Sequence, residues 1–333
     1  MTGWASAAAG AALLVALAPP ASAAGDPTAP STVLFTLQGD SVYESSGLVD
    51  LGDRVVTTND SGDGPTLYTL DPRSGRTVAR TTYAEDATDV EALAPGPGGT
   101  VWAGDIGDNR GNRDDVTVYR LRSLPDGRVD ADAYPLVYPD GPHNAETLLV
   151  HPRTGRVFVV SKSPFGGTVY VAPRRLRTGG EPNRLKVFAR VSGLVTDGSF
   201  YPDGKRVVLR TYGTATGYTF PGFAPTGTVR LPSQPQGEGI SVGADGRVLV
   251  SSEGPASDVL QVTLPASFAA GAPVAPAKTP TAGPTRPPAR DTAGEPPSRT
   301  ASQWGWTLLV AAGVGVLGWA TLRGSRLRGP RRR

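Results

Sequence analysis

"VEALAPGPGGTVWAGD", residues 90–105, places an apolar stretch, a Gly/Pro turn and a second apolar stretch in direct succession. Short apolar runs on either side of a glycine-bearing turn read as a β-hairpin. A carboxylate, Glu91, stands at the start of the first strand, two residues before Leu93. The pattern returns in "SSGLVDLGDRVVTTND" (45–60), "AETLLVHPRTGRVFVVSK" (145–162), "DGSFYPDGKRVVLRTY" (197–212) and "GEGISVGADGRVLVSSE" (237–253). Second strands begin at Arg54, Thr100, Arg156, Arg206 and Arg247, a period of 41 to 56 residues. A repeat of that length is a four-stranded propeller blade.

Third strands follow as "PTLYTLD", "VTVYRLR", "TVYVAP", "TGYTF" and "DVLQVTL", and fourth strands as "TVARTTY", "YPLVYP", "LKVFARV" and "GTVRLP". The fifth repeat lacks a fourth strand, while "STVLFTLQG" (31–39) is a strand without a blade. Adding it to the last repeat closes a ring and removes exposed sheet edges. The expected fold is all-β, a five-bladed β-propeller; a six-bladed ring with one degenerate blade is the alternative.

The chain of 333 residues extends beyond this domain at both ends. Residues 5–18, "ASAAAGAALLVALA", followed by "PPASAAGD", form an apolar run with a small-residue exit at Ala21–Ser22–Ala23. That is the outline of a signal peptide over 1–24, although "MTGW" carries no Lys or Arg; a transmembrane helix is the rival reading. Residues 25–265 are the propeller ectodomain. Residues 266–303, rich in Pro, Ala and Thr, read as a stiff stalk. "WGWTLLVAAGVGVLGWATL" (304–322) has no charge and the length of a membrane span, with tryptophans near its ends. The tail, 323–333, holds six arginines and belongs in the cytoplasm by the positive-inside rule. The expected protein is single-pass in the cell membrane, with its ectodomain outside.

This layout changes the meaning of the charge. The whole chain is +3, but residues 25–265 carry 23 Lys+Arg against 28 Asp+Glu, which leaves −5. No nucleic-acid footprint follows from such a balance. The chain has no cysteine, so the ectodomain relies on core burial or a metal and not on disulfides.

Aligning the repeats on Leu48, Leu93, Leu148, Phe200 and Ile240 puts Ser46, Glu91, Glu146, Gly198 and Glu238 two residues earlier. Residues two apart share a strand face, and first strands line a propeller's channel. Ring closure therefore gathers these positions, with Glu44 and Asp197 close by. Two unit charges about 6 Å apart repel by roughly 3 kcal/mol at an effective dielectric near 20. Either the carboxyl pKa values rise or a cation sits among them. Oxygen-only ligands (Ser46, Glu91, Glu146, Asp197, Gly198 and Glu238) suit Ca²⁺ ahead of Mg²⁺ or Mn²⁺. The alternative is that the glutamates cap neighbouring backbone N–H groups. "NDSGDG" (59–64) opens like an EF-hand loop, but its twelfth position is Leu70.

The ring resembles that of the calcium-activated nucleotidases, the soluble apyrase family, in which the ligands run Ser, Glu, Glu, Ser, Glu around a five-bladed propeller. Ser46, Glu91, Glu146 and Glu238 match in order, and "SGLV" (46–49) and "EGI" (238–240) look like the family's motifs. The fourth position departs, with Gly198, or Thr196 or Asp197, in place of Ser. Roughly residues 32–265 are covered, and phytase-like and esterase-like propellers carry similar short motifs. The resemblance implies a central Ca²⁺ and, for an enzyme, Ca²⁺-dependent hydrolysis of phosphoric or acid-anhydride esters.

Such chemistry needs cations for the phosphate and an acid or base at the channel mouth. Arg110, Arg113, Lys162 and Arg210 are candidates for the first role, and Asp60, Asp105 and Asp108 for the second; ordinary turn composition is the competing explanation. The sequence has no G-x-S-x-G elbow, H-E-x-x-H or Walker loop. His143 lies three residues before Glu146 and reads as a solvated loop residue that reaches toward the rim; His151 reads as structural. Two functions remain open: a Ca²⁺-stabilised surface module that binds an extracellular ligand or protein, and a membrane-anchored phosphohydrolase.

Overall fold

The computed structural model describes residues 27–60, 62–84 and 87–270. The expected leader, span and basic tail, and nearly all of the expected stalk, lie outside them. Five sheets form from these residues, each built on a blade of four antiparallel strands. Blade one is Ser45–Asp50, Val55–Asn59, Thr66–Leu70 and Thr77–Thr82; blade two is Val90–Pro95, Val101–Asp105, Val116–Leu121 and Asp132–Val137. Blade three is Ala145–Val150, Val157–Ser161, Gly167–Val171 and Lys186–Val191; blade four is Asp197–Phe200, Arg206–Arg210, Thr214–Thr219 and Pro225–Arg230. Blade five takes Gly237–Val242, Val248–Ser252 and Asp258–Val262 from one end of the domain and Ser31–Thr36 from the other. The fold is thus a five-bladed propeller closed by its N-terminal strand, and the six-bladed alternative falls away.

First and second strands are buried almost throughout, whereas fourth strands alternate or face solvent. Burial on both faces favours Val, Leu and Ala, and the five hydrophobic clusters each fill one gap between adjacent blades. The gap between blades one and two, for example, holds Val49, Val56, Leu67, Leu93 and Val101. The glycine of "SGLV" belongs to this packing. A Cβ on Gly47 would lie 2.5 Å from Leu93 N, so glycine is what lets the two inner strands approach.

Polar bonds tie the inner strands in register. Ser46 Oγ donates to Glu91 O at 2.7 Å, and Thr196 Oγ1 donates to Glu238 O at 3.1 Å. Asp50 N donates to Ser241 Oγ at 2.9 Å, and Val242 N donates to Ser199 Oγ at 3.1 Å. Each pair describes the same step from one blade to the next. Both steps align blade four with Thr196, not Gly198, at the position of Ser46.

The physical reason is a glycine, Gly198, at the position that the other blades fill with Leu or Ile. First strands of blades one, two, three and five shift register near their starts, between Ser45/Leu48, Val90/Ala92, Ala145/Thr147 and Gly237/Ile240. Asp197–Phe200 pairs with Arg206–Arg210 without a shift. Thr196, just ahead of that strand, donates its N–H to Arg210 O, the residue that Asp197 pairs with. With Thr196 at the ring position, Gly198 stands where the other blades carry Leu48, Leu93, Leu148 and Ile240, so an alignment on large apolar residues lands two positions late, on Phe200.

Two features escape the repeat. Gly127–Arg128 and Asn183–Arg184 leave the long connections of blades two and three and pair in parallel with the outer strands of blades one and two. A short helix, Ala266–Ala270, follows the last strand, and Phe268 is buried with Val208, Val229 and Val262. The folded unit therefore continues into the first residues of the segment read as stalk. Among the described residues no helix is long and apolar enough to cross a membrane.

Candidate metal centre

Glu91, Glu146 and Glu238 stand at the starts of three inner strands, each buried, with Ser46 and Thr196 completing the ring. Their environments raise all three carboxyl pKa values. Burial, then Asp60 and Glu146, push Glu91 to about 10. Burial lifts Glu146 to about 7 against the pull of Lys162, and burial with Glu146 lifts Glu238 to about 8. Burial outweighs every other cause, as it does when a charge leaves water without a full counter-charge.

The second strands and preceding loops add more acid. Asp60 follows the second strand of blade one, and Asp89 immediately precedes the first strand of blade two, which carries Glu91. Carboxylate oxygens of Asp60, Asp89 and Glu91 all lie within 4.8 Å of one another. Burial and then Asp60 raise Asp89 to about 6, and its buried Oδ1 has no hydrogen-bond partner. Gly107 makes room for this grouping: a Cβ there would lie 2.3 Å from Asp89 Oδ2 and 2.8 Å from Glu91 Cγ. Glu44 and Glu253, bridged backbone to backbone across blades one and five, are raised by burial first and by Asp60 next.

Positive charge enters at one side. Lys162 Nζ reaches Glu146 at 2.5 Å and Tyr212 OH at 2.9 Å, and lies 5.1 Å from the Tyr212 ring centroid. Burial opposes its charge, but Glu146 and Tyr212 hold its pKa above the usual lysine value. The centre is therefore two-sided, with Glu146 and Glu238 beside an ammonium group and Asp60, Asp89 and Glu91 beside each other. Hard carboxylate oxygens, one of them orphaned, fit a divalent cation on the second side.

The remaining sequence candidates serve other ends. Asp197 turns from the axis into the gap between blades four and five, where its oxygens accept from Ile240 N and Gly198 N, both at 2.7 Å. Burial raises its pKa well above normal, against those two bonds and Arg210. Gly198 is wedged between blades three and four, where a Cβ would meet Leu209 at 2.4 Å and Leu149 at 3.2 Å. Neither reaches the axis, so these two ligand expectations are corrected, and Thr196 stands in the ring instead.

Asp105 is a clamp: Oδ1 accepts from Asp89 N and Arg113 Nη1, each at 2.8 Å. Asp108 caps its own loop by accepting from Asn112 N and Arg113 N. Arg210 is fully buried and donates to Gly239 O at 2.7 Å and Ser251 O at 3.0 Å, with burial lowering its pKa to about 10. Arg113 is held by Asp105 and Gly107 O, and Arg110 is exposed. His143 bonds Tyr170 OH at 2.7 Å and Asp140 at 3.0 Å, and His151 Nδ1 accepts from its own turn. Asp89 is a further candidate ligand, signalled in the sequence only by its nearness to Glu91; nothing in the sequence signals Tyr212.

No family model matches the chain, and no curated protein matches it, so sequence comparison lends the nucleotidase resemblance no support. Among solved structures, a putative oxidoreductase (glucose dehydrogenase) from Thermus thermophilus is similar at 14% identity. The match covers 71% of this chain and 100% of that one, with a TM-score of 0.41. A luciferin-regenerating enzyme is similar at 12% identity over 68% of this chain and 80% of that one, with a TM-score of 0.42. Similarity at this level carries no functional inference for this chain.

Proposed function

We propose that the chain is a Ca²⁺-dependent binding propeller, tethered outside the cell by its C-terminal segment, whose axial mouth is built around the cation. One observation carries this reading: Asp60, Asp89 and Glu91 bring oxygens within 4.8 Å of each other with burial raising two of them. Glu146, Glu238 and the hydroxyls of Ser46 and Thr196 supply further oxygens around the ring. Bound there, the ion supplies the positive charge that lets these carboxylates ionise together. Lys162 orients Glu146 and covers one side of the mouth.

The binding-module reading is favoured over phosphoester hydrolysis by what the cations do. Arg113 and Arg210 are committed to Asp105 and to backbone carbonyls, and Lys162 to Glu146. A phosphate approaching the mouth would meet mainly carboxylates. Melting of the full chain after EDTA treatment tests the proposal. A rise selective for Ca²⁺ over Mg²⁺, abolished in Glu91→Gln, is expected; equal melting with and without Ca²⁺ overturns it. Nucleotide hydrolysis that appears with Ca²⁺ and disappears in Lys162→Ala would replace the binding module with the enzyme.

A further inference from the structure

At the opposite end of the blades, where first strands turn into second strands, a cleft of about 580 Å³ opens between blades two and three. Trp102 and Tyr134 form its base, ring centroids 5.5 Å apart and nearly parallel. The Arg120 guanidinium lies 5.8 Å from both rings and is held by Asp132 at 2.6 Å. From the hairpin turn of blade three, Arg153 enters the cleft and donates to Asp203 O at 2.5 Å.

The remaining wall is a built feature. Residues 172–185 connect the third and fourth strands of blade three by a detour onto blade two, where Leu136 pairs with Asn183. The Asn183 side chain donates to Pro135 O and Arg177 O and accepts from Arg177 N, all at 2.9 Å. That pinned strap carries Arg174 and Arg175 to the cleft. Both are exposed and have no ion-pair partner among the described residues.

No Asp or Glu lines the cleft, although the ectodomain as a whole is acidic. Two guanidinium groups without an ion-pair partner among the described residues, Arg174 and Arg175, thus face the cleft beside Arg153 and the Asp132-held Arg120. Arginine keeps its charge at any physiological pH, and its planar fork matches phosphate oxygens in pairs. The volume lies within the range of small-molecule sites and exceeds the need of one phosphate. We propose that this cleft binds a small compound carrying a diphosphate group. Trp102 and Tyr134 are buried under Arg120, so Arg174 and Arg175 read the phosphates and no base stacks on the rings. The site is independent of the axial mouth and of any metal there.

Calorimetric titration of the full chain with inorganic pyrophosphate, in EDTA to silence the mouth, tests this. Wild-type protein is expected to bind pyrophosphate and a nucleoside diphosphate with similar affinity, and orthophosphate about tenfold or more weakly. Arg174→Ala/Arg175→Ala, at exposed positions that the fold does not use, should weaken pyrophosphate about tenfold or more. Arg73→Ala, outside the cleft, should change nothing. No heat with pyrophosphate up to about 1 mM, or undiminished binding by the double variant, overturns the proposal. A nucleoside diphosphate that binds while pyrophosphate does not would overturn it too, because recognition would then lie with the base.

Discussion

Glu91 shows why a strand that is otherwise apolar carries an acid. Its side chain lies in the buried mouth beside Asp60 and Asp89, and burial holds its pKa near 10 against an ordinary value of 4.5. Keeping that carboxyl neutral at pH 8 costs on the order of a few kcal/mol relative to the unfolded chain, where it ionises freely. Glu91→Gln removes this cost. The variant is expected to melt several degrees higher than metal-free wild type at pH 8 and to lose its response to Ca²⁺, as read by thermal unfolding with and without EDTA. Lower stability together with an intact Ca²⁺ response would make Glu91 a backbone cap. The sequence made Ser46, Glu91, Glu146 and Glu238 visible because a two-residue period places them on one face of successive inner strands. It could not order the fourth blade: large apolar residues pointed to Phe200, while Gly198 fills the position of Leu48 and the ring position is Thr196. Asp197, read as a ligand by proximity, is one residue further and on the other strand face, which sends it between blades.

Elements meet most critically where the ring closes, between blades five and one. Arg247 from the last hairpin donates Nε and Nη2 to the two oxygens of Asp50 at 2.5 and 2.6 Å, and the Asp50 side chain is fully buried. Removing one partner of such a pair leaves a buried charge uncompensated, a loss of about 3–5 kcal/mol. Arg247→Ala should therefore cost about 3 kcal/mol in urea unfolding, and Asp50→Asn/Arg247→Ala less than that, since no charge is then stranded. The strand Ser31–Thr36 completes the same blade by pairing with Asp258–Val262 and burying Phe35. Deleting residues through Thr36 exposes that edge and is expected to produce oligomers on size exclusion as well as a lower melting temperature. Blade order and closure were readable because the hairpins repeat with turn chemistry at fixed places. Straps such as Asn183–Arg184 were not, since two-residue parallel pairings leave no period in a long polar connection.

At the scale of the molecule, the mouth dictates an unusual dependence of stability on pH. Glu91, Glu238, Glu146 and Asp89 have folded pKa values of about 10, 8, 7 and 6, all above their ordinary values near 4. Between about pH 4.5 and 8 the native protein therefore holds protons that the unfolded chain has released. Stability falls with rising pH wherever the native state binds more protons. The contribution of these groups is full below about pH 4 and is lost as pH climbs through each folded value. Carboxylates with lowered pKa, Asp132 beside Arg120 and Asp203 beside Arg206, act in the opposite direction, but only once pH drops below their unfolded value near 3.8. Metal-free protein should thus melt at progressively lower temperature from about pH 5.5 to 8.5, against the behaviour of most acid-sensitive domains. A bound cation removes the reason for proton uptake, because the carboxylates ionise against it. With Ca²⁺ present the melting temperature should be nearly flat over the same range, so the gap between the two curves widens toward alkaline pH. Parallel curves, or a metal-free protein that gains stability as pH rises, would mean that the mouth carboxylates are neutralised by groups other than a cation, and that the acidic axis is held by hydrogen bonds alone.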